Sequence, residues 1–148
     1  MTTEQNDPTV FQVLNEIGII DQLARAKLER VLPDDLKISH FVVLNHLVRL
    51  GGEWNPARLA AAFQITKAAM TNTLKRLEAR GLVRIEADPA DGRAKLVSLT
   101  PAGKAVREQS IANIGPFLVE LGEQFDDARL VDALPLLREL RIYLDEHR

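Results

Sequence analysis

The chain has 148 residues, the size of one ordinary domain, and its 46% hydrophobic content is ample for a core while leaving no room for a separate large catalytic domain. It has no cysteine, which excludes disulfides, zinc thiolate sites, thiol nucleophiles and cysteine-based oxidant sensing. The net charge of −2 is unevenly spread: Asn55 to Lys95 holds eight basic residues against four acids, a balance of +4, and the remainder, 11 basic against 17 acidic, stands at −6, the pattern of a basic nucleic-acid footprint on an acidic body.

Residues 1 to 7 are polar, lack periodicity and are expected to fray. With no basic or greasy N-terminal region, and apolar runs that are short and interrupted by charge, the expectation is a cytoplasmic protein without a membrane segment. A helix from about Thr9 to Val31 carries Val10, Val13, Leu14, Ile17, Ile20, Leu23, Ala24 and Leu28 as one wide apolar stripe. Pro33-Asp34-Asp35 breaks it, and Ser39 is placed to cap a second helix in which Phe41, Val42, Leu44, Leu47 and Val48 face inward up to Gly51-Gly52. Asn55 as a cap with Pro56 at the first helical position starts a short helix through Phe63, with Arg58 near its N-terminus and Gln64-Ile65 as the following turn. Trp54, the only tryptophan, reads as a core plug beneath the wing more readily than as a base-stacking residue, and its flanking Gly-rich turn allows either.

Thr66 caps the next helix, where Met70, Leu74 and Leu77 form the inward stripe. At about 100° per residue, the opposite side holds Ala68, Thr71, Asn72, Lys75 and Ala79, with Lys67 and Arg76 on its flanks and no acid. Such a face suits a DNA major groove, because Thr and Asn read base edges while Lys and Arg bind phosphates or guanine. An ordinary solvated helix face would use similar residues. Gly81 then ends the helix in the left-handed region. Leu82 to Glu86 and Ala94 to Leu99 are short aliphatic and β-branched runs, and the turn formers Asp88-Pro89-Ala90-Asp91-Gly92-Arg93 between them pair the runs as a hairpin.

Thr100 as a cap and Pro101 at the first position begin another helix with Val106, Ile111, Ile114 and Leu118 on its apolar side. Gly115-Pro116 should kink or interrupt it before it resumes to about Gln124. A last helix from about Asp126 to Glu146 carries Leu130, Val131, Leu134, Leu137, Leu140, Ile142, Tyr143 and Leu144, with a bend near Pro135. The expected fold class is therefore mostly α with a small β-hairpin wing. A winged helix-turn-helix lobe over 36–99 is flanked by long helices over 9–31 and 100–147, all within one domain, 1–148. Those flanking helices are more apolar than the lobe can cover. Packing them against a second copy would place two recognition helices on one face of DNA; folding back onto their own monomer is the alternative.

The hairpin segment Asp88-Pro89-Ala90-Asp91-Gly92-Arg93, the following Leu99-Thr100-Pro101-Ala102-Gly103 and the preceding run from Thr73 to Val83 resemble the MarR (multiple-antibiotic-resistance regulator) family. The resemblance in layout covers nearly the whole chain. It implies a dimeric winged-helix repressor in which an Asp-x-Arg pair, here Asp91 and Arg93, shapes the wing and sends the Arg into the minor groove. Many members carry a second Arg between the two, where this chain has Gly92. The expected DNA-binding residues are Arg58, Thr66, Lys67, Ala68, Thr71, Asn72, Lys75, Arg76, Arg93 and Lys95, with Asp91 as the wing-shaping residue.

The resemblance also implies a small effector, often an aromatic or phenolic acid, bound between the dimerisation helices and the DNA lobe. His40, Phe41 and Arg49 lie near that place, although core packing and surface placement explain them as well. His40, His46 and His147 form no compact metal-ligand cluster, so neither a metal nor a cofactor is expected. No Gly-x-Ser-x-Gly elbow, phosphate loop or His-Glu-x-x-His pair is present, and Asp88 and Asp91 with Gly92 lack the downstream oxygens of a calcium loop. The function expected is that of a sequence-specific transcriptional regulator and not an enzyme: a homodimeric repressor on a pseudo-palindromic operator in double-stranded DNA, released by a small ligand. The alternative is a winged-helix module that docks a protein, whose binding would be insensitive to salt.

Overall fold

The computed structural model describes residues 7–148, so of the segment 1 to 7 expected to fray, all but Asp7 lies outside the described residues. The chain forms two compact units, the first ending at Asn113 and the second running from Ile114 to Arg148.

In the first unit, helix α1 spans Thr9–Val31, the span expected from its apolar stripe, and is held between Pro8 and a tight turn at Pro33–Asp35. Both Asp34 and Asp35 sit in the left-handed region, with φ of 53° and 56°, a conformation that short polar side chains tolerate. Helix α2 spans Ile38–Leu50, and Ser39, expected as its cap, lies inside it. The cap position is Lys37, whose backbone N–H donates to Nδ1 of His40 at 3.2 Å. The His40 ring, three residues in, thus takes the part that a Glu or Gln carboxyl or amide oxygen plays in the usual capping box, accepting the N–H of the cap residue.

Helix α3 spans Pro56–Phe63 and helix α4 Lys67–Ala79. Strands β1, Val83–Ala87, and β2, Lys95–Leu99, pair antiparallel with Val83 opposite Leu99 and Ala87 opposite Lys95. Trp54 adds a third edge to this hairpin: its N–H and C=O both bond Val97, at 2.9 and 2.7 Å. The core gathers Leu36, Phe41, Val43, Leu44 and Leu47 with Leu59, Met70, Leu74, Leu77, Leu82, Val83 and Val97. On α2 the inward set differs from the one expected. Val43, His40 and His46 are buried while Val42 and Val48 are only half-buried, because α2 is enclosed on more than one side and an apolar stripe alone understates its buried arc.

Helix α5 spans Pro101–Gln124 and α6 Asp127–Glu146. Gly115-Pro116 does not interrupt α5, nor Pro135 α6: both run on as helices. The ring removes one amide donor, and the turns on either side keep their own bonds. Within the first unit, the start of α5 is tied to α2 by Arg107, whose Nε and a terminal nitrogen donate to Asn45 Oδ1 at 3.1 and 3.0 Å, and to the end of α1 by Asn113 Nδ2, which donates to Val31 O at 2.8 Å. In the second unit, Asp126 caps α6 by accepting the Ala128 N–H at 3.1 Å, and α6 buries none of its residues.

Candidate nucleic-acid interface

The interface is built around α4. Thr66 Oγ1 accepts the Ala69 N–H at 3.1 Å, which fixes the start of the helix. Met70, Leu74 and Leu77 are at most 1% exposed and pin its inner side to the core. That anchoring forces Lys67, Ala68, Asn72, Lys75 and Arg76 to the exposed side, where no acid intervenes, while Thr71, the neighbour of Met70, is half-buried on the flank. Gln64, at φ 52°, makes the left-handed turn between α3 and α4.

The far end of α4 is fastened at several points. Gly81 takes φ +69° beyond Arg80, and Thr100 Oγ1 donates to Gly81 O at 2.7 Å while accepting the Gly103 N–H at 3.0 Å. The guanidinium of Arg80 donates to Asp34 O at 2.7 Å, so this cation holds the helix end to the turn before α2 rather than joining the open face. His40, buried beneath, has its pKa lowered by burial first and then by the nearby charges of Arg80, Arg76 and Lys37. It is a neutral hydrogen-bonding wedge.

The wing tip is a nested pair of polar turns. Asp88 Oδ1 accepts the Ala90 N–H at 2.8 Å, Asp91 Oδ1 accepts the Arg93 N–H at 3.0 Å, and the Asp88 N–H donates to Ala94 O at 3.0 Å to close the loop. Asp91 therefore braces the backbone at Arg93 and leaves that side chain exposed, with Lys95 exposed at the base of β2. At the other edge of the hairpin, Arg58 in the first turn of α3 lays its guanidinium over the Trp54 ring, 4.5 Å from the ring centre. The Trp54 indole N–H donates to Gly51 O at 2.8 Å and the ring meets the edge of His46 at 4.6 Å. Trp54 is thus half-buried and packed against the core, nearer to the plug of the two readings its sequence allows, and its main-chain pairing with Val97 had no signal in a single isolated residue.

The structure gathers the expected cations on three neighbouring elements, the start of α3, the open face of α4 and the wing. His40, Phe41 and His46 are core residues, Arg49 is exposed, and among the described residues no group of three or more His, Asp or Glu is placed to hold a metal. No helix among them is long and apolar enough to cross a membrane.

A helix-turn-helix followed by a two-stranded wing defines the winged-helix class of fold. Residues 34–94 match the MarR family model. The transcriptional regulator HosA of Escherichia coli O111:H- is 37% identical over 100 residues, which cover 68% of this chain and 73% of that protein. YdgG of Bacillus subtilis, an HTH-type transcriptional regulator, is 29% identical over 97 residues, 64% of either chain, so the match spans somewhat under two thirds of that relative's length. Among solved structures, BpsR of Bordetella bronchiseptica, whose DNA binding is regulated by 6-hydroxynicotinic acid, superposes with a TM-score of 0.70 at 30% identity over 88% of this chain and 98% of that one. A cysteine-to-serine variant of MarR from E. coli in complex with operator DNA superposes with a TM-score of 0.70 at 27% identity, covering 88% and 94% of the two chains. The chain belongs to the MarR family of transcriptional regulators.

Proposed function

We propose that this chain is a sequence-specific DNA-binding transcriptional regulator, a homodimeric repressor that acts in the cytoplasm and has no catalytic activity. The observation that carries the reading is the open face of α4: exposed Lys67, Asn72, Lys75 and Arg76, with no acidic side chain before Glu78, on a helix pinned to the core from behind. In the duplex, Asn72 and Ala68 lie toward base edges with Thr71 beside them on the flank, Thr66 and Lys67 toward the backbone at the start of the helix, and Lys75 and Arg76 toward phosphate or guanine. Arg93 and Lys95 reach the flanking minor groove or its phosphates, and Arg58 meets the backbone beside the wing. The MarR complex with operator DNA supports DNA as the partner.

The dimer reading rests on apolar side chains left open on the flanking helices. Val10, Ile20 and Leu23 of α1 are 67%, 61% and 63% exposed, and Leu144 and Val131 of α6 are 56% and 53% exposed. A soluble chain covers such surface with a partner, and a second copy pairs two recognition helices on a pseudo-palindrome. An effector fits the first unit as well. A cavity of about 380 Å³ between α1, α2 and the helix-turn-helix is lined by Val42, Val43, Phe63 and Met70 together with Arg25, which is paired with Asp21 at 2.7 Å, an apolar lining with one cation that suits an aromatic acid. The regulation of BpsR by 6-hydroxynicotinic acid supports that ligand class.

Titrating the purified protein against a labelled duplex from its own upstream region, at several salt concentrations, tests the reading. Affinity should fall steeply with salt, by a logarithmic slope of about 0.9 for each phosphate contacted. A salt-independent affinity, or none for DNA, would replace it with the protein-docking module.

A further inference from the structure

Arg58 and the wing are joined through one residue. Trp54 holds the Arg58 guanidinium over its ring, 4.5 Å from the centre, and its main chain is bonded twice to Val97, two residues along β2 from Lys95. The ring is fixed in turn by the indole N–H bond to Gly51 O at 2.8 Å and by the edge contact with His46 at 4.6 Å. The backbone here is equally constrained, since Gly51 and Gly52 take φ of +63° and +75° immediately before it and Asn55 caps α3 immediately after. Arginine is a flexible side chain that loses rotamer freedom whenever it binds a phosphate, so a stacked guanidinium is partly ordered before the ligand arrives.

We propose that Trp54 is a positioning residue for DNA binding, which fixes Arg58 on its ring and ties it through Val97 to the wing, so that Arg58 and Lys95 meet the phosphate backbone as one preformed set. The inference rests on the DNA-binding reading above and adds to it a residue that itself touches no DNA. Lysine at position 58 keeps the charge but has no planar group to lie on the indole.

The test is a salt-resolved titration of one operator duplex by four proteins: the parent, Arg58→Lys, Trp54→Phe and the double variant. Each single variant should weaken binding about two- to fivefold, the range of an exposed cation and ring contact. The double variant should be no weaker than Arg58→Lys alone, because the two changes break one contact. A purely structural tryptophan predicts something else: the losses would multiply, and Trp54→Phe would lower thermal stability in proportion to the lost affinity. The single tryptophan gives a second readout, since Arg58→Lys should shift the emission of the free protein without DNA. Multiplicative losses, or unchanged affinity and emission in Arg58→Lys, would overturn the inference while leaving DNA binding standing. If the parent protein shows no salt-dependent binding, the functional reading fails and the positioning role fails with it.

Discussion

Gly103 lies so close to the carbonyl of Leu82 that a Cβ built on it would stand 2.0 Å from the Leu82 oxygen and 2.8 Å from Leu99 Cδ1. Beside it, Thr100 bridges Gly81 O and the Gly103 N–H. The start of α5, the turn that ends α4 at Gly81 and Leu82 just before β1 therefore share one tight joint, and this is the physical content of the Leu-Thr-x-x-Gly pattern. Gly103→Ala must push backbone, not a flexible side-chain end. It should destabilise the protein by about 1–3 kcal/mol or more, read as a fall in the thermal midpoint, whereas Gly92→Ala, with open space around it, should change little. Equal midpoints for the two variants would mean that the joint yields freely.

The two buried histidines make stability pH-dependent. Burial lowers the pKa of His46, with Arg49 adding to the effect, and burial together with Arg80, Arg76 and Lys37 lowers that of His40, both from an ordinary 6.5. In the unfolded chain both rings take up protons near 6.5, and in the folded protein only at lower pH. The unfolded state therefore binds more protons, so the stability present above about 6.5 is lost as pH falls through that value toward the lowered folded values. Urea midpoints at pH 7.5 and 5.5 should differ in that direction. His46 Nε2 has no hydrogen-bond partner among the described residues and its ring packs against Trp54 and Phe63. His46→Phe should thus preserve stability at pH 7.5 and reduce the loss at 5.5; an undiminished loss would clear His46 of the effect.

Asn72 and Arg93 should separate specificity from affinity. Asn72→Ala removes an exposed side chain proposed to read base edges and should cost about 1–3 kcal/mol on the preferred operator and little on others, relaxing discrimination at one position. Arg93→Ala should weaken all sequences alike and lower the salt slope by about one. Measured affinities for a set of operator variants decide between these patterns, and unchanged discrimination in Asn72→Ala would remove that residue from base reading.

Self-association should depend on α1. Ile20 is 61% exposed on the apolar stripe, and Ile20→Glu places a charge in the surface that a second copy is proposed to cover. Light scattering should find the parent dimeric and the variant shifted toward monomer. A variant that stays dimeric at the same concentration would move the interface elsewhere.

Much of this architecture was legible from local chemistry. The apolar stripe of the 23-residue α1, flanked by Pro8 and Pro33, gave the same limits in sequence and structure, and Asn55, Thr66 and Thr100 cap the helices they precede, as their side chains imply. Periodicity also placed Met70, Leu74 and Leu77 inward and so exposed the face proposed to meet DNA. Long-range partners were less accessible. Lys37 takes the cap position expected for Ser39, with His40 accepting its N–H, Arg80 bonds a carbonyl 46 residues away, and Trp54 pairs with a strand 43 residues later; none of these leaves a local pattern. At the prolines of α5 and α6, the sequence allowed a kink or a break; neither helix breaks, because one missing donor in a long helix is tolerated when neighbouring turns persist.

The central claim, that the open face of α4 and the wing bind operator DNA as a pair, is tested most directly by a footprint of the purified protein on its own upstream DNA across salt concentrations. The account predicts a protected, roughly palindromic site, with half-sites about one helical turn apart and protection lost as salt rises. No protection at low salt anywhere on that DNA, or protection indifferent to both sequence and salt, would contradict it.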